Sequence, residues 1–450
     1  MKVCALYGAG FYYIPGTDTC LKIGGFVRAD YAANAGGSHG QYWDGGNAAN
    51  NRYSHDFQTR VRWNMTLDAR TQTEYGTLRS YIRAGMQYST VNGTSIDGQI
   101  YYDRAFIQLG GFTFGKTLSF YDAFSGGFAS YTTLAGASDT GNGTNVAAYT
   151  AQFGNGFTGT ISIEDAVMRR AGIYSNLDTD YRPGLALTSR YGGQQVPDIV
   201  GNLRVDQAWG TAQLSAALQQ VRATYYGAGA PLTYLEGNGY PEDKWGFAVQ
   251  GALQFKLPWA AGDAFTVQAG YSEGATAYVF GNSNGKSNLG VYHGTEVFSG
   301  MLVDGVYGAA GSDLQLTKIF GVNAGLEHYW TPTLRSSVFG SYVSVDFNDT
   351  ASGLICASSP FLSPAGAVQA GCNPDWNMYQ VGTRTVWNPV RNLDVGLELL
   401  YTKFETDAGG STMQLTGTTM TNVGKPATTY TVADQDVFSG MIRVQRNFWP

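Results

Sequence analysis

The 450-residue chain is short of charge and helix signals: only 14% of its residues are Asp, Glu, Lys or Arg. No run of about 18 apolar residues occurs, so no helix is predicted to cross a membrane. That absence leaves barrels open, because barrel strands hide their apolar content in alternation. Histidine is scarce, at four, which leaves little for metal or acid–base sites. The formal net charge is −6, and an acidic balance argues against nucleic acid as a partner. No fixed short repeat is found, which argues against a β-helix. Met1-Lys2 leads straight into Val3-Cys4 without an apolar leader core, and the chain reads as a mature exported protein.

What is abundant is glycine (61), tyrosine (30) and phenylalanine (23), a balance that suits many strands and turns. The organising stretch is 55–83. Gln58, Arg60, Arg62, Asn64, Thr66, Asp68 and Arg70 alternate with Phe57, Thr59, Val61, Trp63, Met65, Leu67 and Ala69. Strict period 2 over this length predicts one long strand with unlike faces. After a break at 71–75 the alternation resumes, with Arg79, Arg83 and Gln87 opposed to Leu78, Ile82, Ala84 and Met86. A row of arginines is too costly for a dry core. It fits a sheet with lipid on one side and water on the other.

The rest of the chain repeats the pattern. Strands are predicted at 21–34, 102–109, 112–120, 146–153, 157–167, 199–208, 211–223, 244–257, 264–275, 314–329, 334–347, 376–387, 393–406 and 436–448, with a polar loop at 91–99. Short turns alternate with long loops, giving an all-β, transmembrane antiparallel β-barrel of about 16 strands. Trp209, Trp259, Trp330, Trp387 and Trp449 fall at short turns or the terminus, and Trp245 and Trp376 at strand ends near the long loops. This is the placement expected of two interfacial girdles. A sandwich would have shorter strands and would rarely put arginines on an inner face.

Four cysteines allow three pairings, and the local ones, Cys4 with Cys20 and Cys356 with Cys372, are preferred. They delimit an N-terminal disulfide loop, 1–20, ahead of a barrel over 21–450 that includes a disulfide-bearing outer loop, 348–375. Such bridges imply an oxidising compartment.

Two other patterns point elsewhere. Gly110 to Thr117 matches G-x-x-x-x-G-K-[ST], but it begins in a tight turn and continues as a strand, whereas a phosphate loop needs a helix N-terminus after it. Asp178 and Asp180 could reach a calcium ion at a loop rim, yet a solvated loop is the better reading. No catalytic residue, cofactor or metal is assigned.

The run CALYGAGFYYIPGTDTCLKIGGFVR over 4–28 resembles the mature start of the alphaproteobacterial general porins. EYGTLRSYIR over 74–83, FTFGKTLSFYD over 112–122 and VQRNF over 444–448 agree with that family. The resemblance implies a sixteen-stranded, homotrimeric diffusion channel in the bacterial outer membrane, passing small hydrophilic solutes and ions. It also implies that the third long loop, 121–145, folds into the lumen as a constriction. Arg28, Arg60, Arg62, Arg79, Arg83 and Arg104 share one face by parity and would form the constriction wall. Asp122 and Asp139 on the loop would oppose them and set a transverse field. Such porins end on an aromatic assembly signal, a role that falls here to Phe448 or Trp449. Two other readings are a sugar- or anion-specific channel and an outer-membrane β-barrel enzyme.

Overall fold

The computed structural model describes residues 3–34, 47–91, 94–124, 129–139, 141, 143–179, 181–184, 188–281, 288–358, 360–363, 366–415 and 418–448. Sixteen strands form the barrel. They are β1 (Thr19–Ala33), β2 (Phe57–Thr73), β3 (Gly76–Val91), β4 (Thr94–Leu109), β5 (Phe112–Thr117), β6 (Thr144–Gly154), β7 (Phe157–Glu164) and β8 (Asp198–Gln207). Then come β9 (Gly210–Val221), β10 (Lys244–Lys256), β11 (Ala264–Glu273), β12 (Lys318–Thr331), β13 (Leu334–Asp346), β14 (Trp376–Trp387), β15 (Leu393–Thr406) and β16 (Gln435–Asn447). Each pairs antiparallel with its sequence neighbour, and β16 returns to β1 through Phe26↔Asn447 to Ala33↔Gly440. Closure gives every barrel strand a neighbour on both sides, which suits a bilayer because it offers no water to unpaired backbone groups.

Phe448 helps to shut the seam. Its N–H donates to the Gly25 carbonyl at 3.0 Å. A Cβ at Gly25 would lie 2.1 Å from the Asn64 carbonyl oxygen and 2.7 Å from the Phe448 ring, at a φ of +155°. Only glycine admits that approach.

The alternation expected along 55–83 is present. Gln58, Arg60, Asn64, Thr66 and Asp68 are buried on the inner face, while Val61, Trp63 and Met65 are exposed outside. Within 91–99, read as a polar loop, Thr94 onward is strand instead, with Val91 paired to Thr94 and Thr90 to Ser95.

Trp209, Trp245, Trp259, Trp330 and Trp387 are exposed at strand ends. Trp376 is a correction to the girdle: it is fully buried and points inward, in parity with Met378 and Gln380. Its Nε1 donates to the Met301 carbonyl at 2.9 Å, and Phe280 and Phe298 meet its ring edge-on. Trp449 lies outside the described residues.

Both expected disulfides are formed, Cys4–Cys20 and Cys356–Cys372. The long connections carry a core of their own. A hairpin, Asn288–His293 with Glu296–Met301, runs parallel to Thr428–Val432. Gly305–Tyr307 runs parallel to Ile173–Ser175. Tyr174, Tyr181, Phe280, Phe298, Val306 and Tyr430 are all buried in one apolar cluster that reaches Trp376 and Phe404 on the barrel wall. The outer loops are thus a packed cap rather than a solvated fringe.

Candidate functional site

The inner face of β1–β4 and β16 is built from side chains that alternation turns inward. Arg28 stands opposite Arg62, and Asp30 opposite Arg60. Arg79 is in register with Arg70, and Arg83 with Arg104. All six arginines singled out in the sequence therefore fall on one wall. Bare like charges a few Å apart would repel by about 4 kcal/mol per pair at an effective dielectric of 20, and three aspartates interleave with them.

Asp30 is the centre of the first group. Its side chain is fully buried and accepts from Arg60 Nη2 at 2.7 Å and Arg443 Nε at 2.6 Å, with Arg28 Nε 3.4 Å away. Asp68 accepts bidentate pairs from Arg70 (3.0 and 2.8 Å) and Arg79 (3.0 and 2.9 Å). Asp103 pairs with Arg83 at 3.1 Å. Arg62 donates to the Gln87 amide oxygen, and its guanidinium lies 4.6 Å from the Tyr101 ring centre. Arg104 donates to two carbonyls, Asp103 at 2.7 Å and Gly141 at 3.2 Å, and so ties the wall to the segment that precedes β6.

Among the described residues, eight guanidiniums, counting Arg70 and Arg443, thus share this wall with three carboxylates. The wall keeps a cationic excess while each aspartate fixes the rotamers of its neighbours. Beneath the cations lie rings: Arg79 covers Tyr81 and Phe106, which stack at 5.0 Å, and Arg28 and Arg83 both lie over Phe26. Cation–π contact of this kind holds a guanidinium flat without cancelling its charge.

The segment after β5 runs across the opposite inner face. A loop inside a barrel must find partners for its backbone, and inward amides and hydroxyls supply them. Asn202 on β8 donates to the Phe120 carbonyl, Gln213 on β9 and Gln250 on β10 to that of Tyr121, Gln268 on β11 to that of Phe124, and Ser337 on β13 to that of Ala129. Glu398 on β15 accepts from the Tyr131 and Thr132 amides, and Gln380 on β14 from the Ala135 amide at 2.9 Å. Gly136, at φ +88°, comes so close to β12 that a Cβ would sit 2.6 Å from the Val322 carbonyl oxygen.

The two acids expected to face the arginines are engaged elsewhere. Asp122 accepts from Arg169 Nη2 at 2.9 Å, with the side chains 1% and 2% exposed, and Ser138 Oγ also bonds it. Burial lowers the Arg169 pKa, but Asp122, the Tyr278 hydroxyl and Glu164 outweigh it and hold the guanidinium firmly charged. Asp139 is half-buried, 3.4 Å from Thr133 Oγ1, and lines a small cavity with Gln268 and Asn323. Among the described residues of that segment Tyr131 meets the wall, its ring centre 4.2 Å from the Arg443 guanidinium and 5.0 Å from that of Arg384.

Sequence reasoning left the interleaved partners unassigned. Asp30 and Asp68 carry the parity of the arginines and could have been found. Asp103 reaches the wall through a register shift at Arg83/Ala84, and Arg443 only through barrel closure. Of the histidines, His328 Nδ1 sits 2.6 Å from Asp263 at the short-turn rim beside Trp330, while His39 and Asp180 lie outside the described residues. Among the described residues no group of three His, Cys, Asp or Glu is placed to hold a metal.

A profile of the porin subfamily matches residues 1–441. Among curated proteins, porin Omp2b of Brucella suis is 31% identical over 229 residues, 47% of this chain and 55% of that protein. Porin Omp2b of Brucella abortus (strain 2308) is 28% identical over 222 residues, 47% of this chain and 54% of that one. The matched stretch thus spans about half the length of these relatives. Among solved structures, the outer membrane channel DcaP of Acinetobacter baumannii superposes with a TM-score of 0.62 at 14% identity, covering 97% of this chain and 99% of that one, a likeness of fold. The sixteen-stranded closed barrel and the match along nearly its full length place this chain in the porin subfamily, among the β-barrels of the bacterial outer membrane.

Proposed function

We propose that this chain is a passive diffusion channel for small hydrophilic solutes and ions. The observation that carries the reading is the cationic excess along β1–β4 and β16, facing a loop that is bonded to the far wall. Water and solute would pass between them, alongside the contact of Tyr131 with Arg443. A wall with more guanidiniums than carboxylates favours anions and orients dipolar solutes as they pass.

A sugar-specific channel would need open aromatic faces along the path. Phe26, Tyr81, Tyr101 and Phe106 are instead covered by guanidiniums, so a solute would meet charge before ring. The reading is of a channel rather than an enzyme, with no cofactor in its cycle.

The bilayer is the environment this reading requires, and the exposed outer face of the first strands, with Val61, Trp63, Met65 and Ile82, would meet lipid or the other subunits of a homotrimer. Single-channel recording of the purified protein in planar bilayers tests both points. Stepwise closure in threes supports a trimeric pore, and a silent bilayer at high protein load overturns the channel.

A further inference from the structure

The N-terminal loop is stapled to the lumen side of the barrel, where the arginine wall has its short-turn end. Tyr12–Tyr13 runs back along β1 as its antiparallel partner, with Tyr12↔Leu21 and Tyr13↔Cys20. It uses the edge of β1 that β16 leaves free below Phe26. Cys20 is fully buried and carries the inward parity of Lys22, Arg28 and Asp30; it stands opposite Arg70 and Lys22 opposite Asp68. The Cys4–Cys20 bridge therefore pulls the helical turn Val3–Tyr7 towards the inside.

What it delivers there is a pair of rings over two cations. The Phe11 ring centre lies 4.8 Å from the Arg70 guanidinium and 5.8 Å from Lys22 Nζ, and Tyr7 lies 5.7 Å from Arg70. Tyr7 and Phe11 pack together at 5.7 Å, and Lys22 Nζ donates to the Ala9 carbonyl at 3.1 Å. Arg70 is at once a partner of Asp68, which also holds Arg79. The loop thus ends on the same network as the wall.

We propose that Tyr7 and Phe11 form a second selectivity element, an aromatic lip at the short-turn mouth that covers Lys22 and Arg70 and narrows the path below the arginine wall. This rests on the reading of the barrel as a pore. The lip keeps passing ions farther from the two cationic heads, whose charge it leaves intact, because rings stand where those heads would otherwise meet the solute. The disulfide and the Tyr12–Tyr13 pairing with β1 together hold them there.

The test compares the full-length parent with the Tyr7→Ala/Phe11→Ala variant in planar bilayers under a salt gradient. The expected result is a single-channel conductance about 1.5- to 2-fold higher with a raised anion-to-cation permeability ratio. Equal conductance and equal reversal potential would overturn the lip. A parent that conducts nothing would instead overturn the pore reading, so the two failures are distinct. A measurement on the parent alone guards against a misassembled variant. In the folded protein an amine-acetylating reagent should modify Lys22 several-fold more slowly than the exposed Lys318. Equal rates would overturn the covering of Lys22.

Discussion

Asp122 and Arg169 form an ion pair at 2.9 Å with both side chains withdrawn from water. The contact joins the segment after β5 to the segment after β7. Arg169 reaches further, to Ser138 Oγ at 2.7 Å and to the Ala277 carbonyl at 3.3 Å, and it lies over the Tyr278 ring at 4.4 Å. One guanidinium therefore holds both ends of the loop against the cap. The acid that might have faced the pore is a structural anchor.

Breaking that pair should free the loop. Asp122→Asn would leave Arg169 charged and buried without its carboxylate, a loss of about 3–5 kcal/mol for a pair of this kind. The barrel itself should persist, because its strands do not depend on the pair. The expected outcome is noisier, larger single-channel events and faster protease cleavage within 121–145. A joint Asp122→Leu/Arg169→Leu change should recover much of the loss, since the uncompensated charge is gone.

Asp30 is predicted to act on charge and stability together. Asp30→Asn keeps the shape but removes the carboxylate shared by Arg28, Arg60 and Arg443. Thermal unfolding should occur at lower temperature, and the reversal potential under a salt gradient should move further towards anions. The combination separates this site from a purely structural one, which would change only the melting.

Asp304 in the cap gives a pH signature. Burial pushes its carboxyl above the ordinary range, although Tyr191, Thr276 and the Ala171 amide all donate to it. A raised carboxyl pKa means that the cap is most stable below the unfolded value of about 4 and loses stability as pH rises through the folded one. The protection factor of the Thr276 amide, with the intrinsic pH dependence of exchange divided out, should fall over that window in the parent. In Asp304→Asn the slope should vanish.

How much of this was legible in the chain depends on the range of the contact. Strands and their inward faces follow from period 2, so Arg60, Arg62, Asn64 and Asp68 could be placed from position alone. Trp376 could also have been placed, since 376, 378 and 380 share a parity; strand-end position was the weaker guide. Asp103 needed a register shift and Arg443 needed ring closure, and neither leaves a local trace. The cap was invisible for a further reason: Tyr174, Phe298 and Tyr430 come from three loops without periodicity and meet only in the folded chain.

The central claim is that the guanidinium excess on β1–β4 sets ion preference. Arg60→Gln/Arg62→Gln/Arg79→Gln removes three of its positive charges while leaving Asp30 and Asp68 in place. In planar bilayers with a tenfold salt gradient, the reversal potential should shift towards cations, with the anion-to-cation permeability ratio falling about 2- to 10-fold. A conducting variant whose reversal potential equals that of the parent would contradict the account.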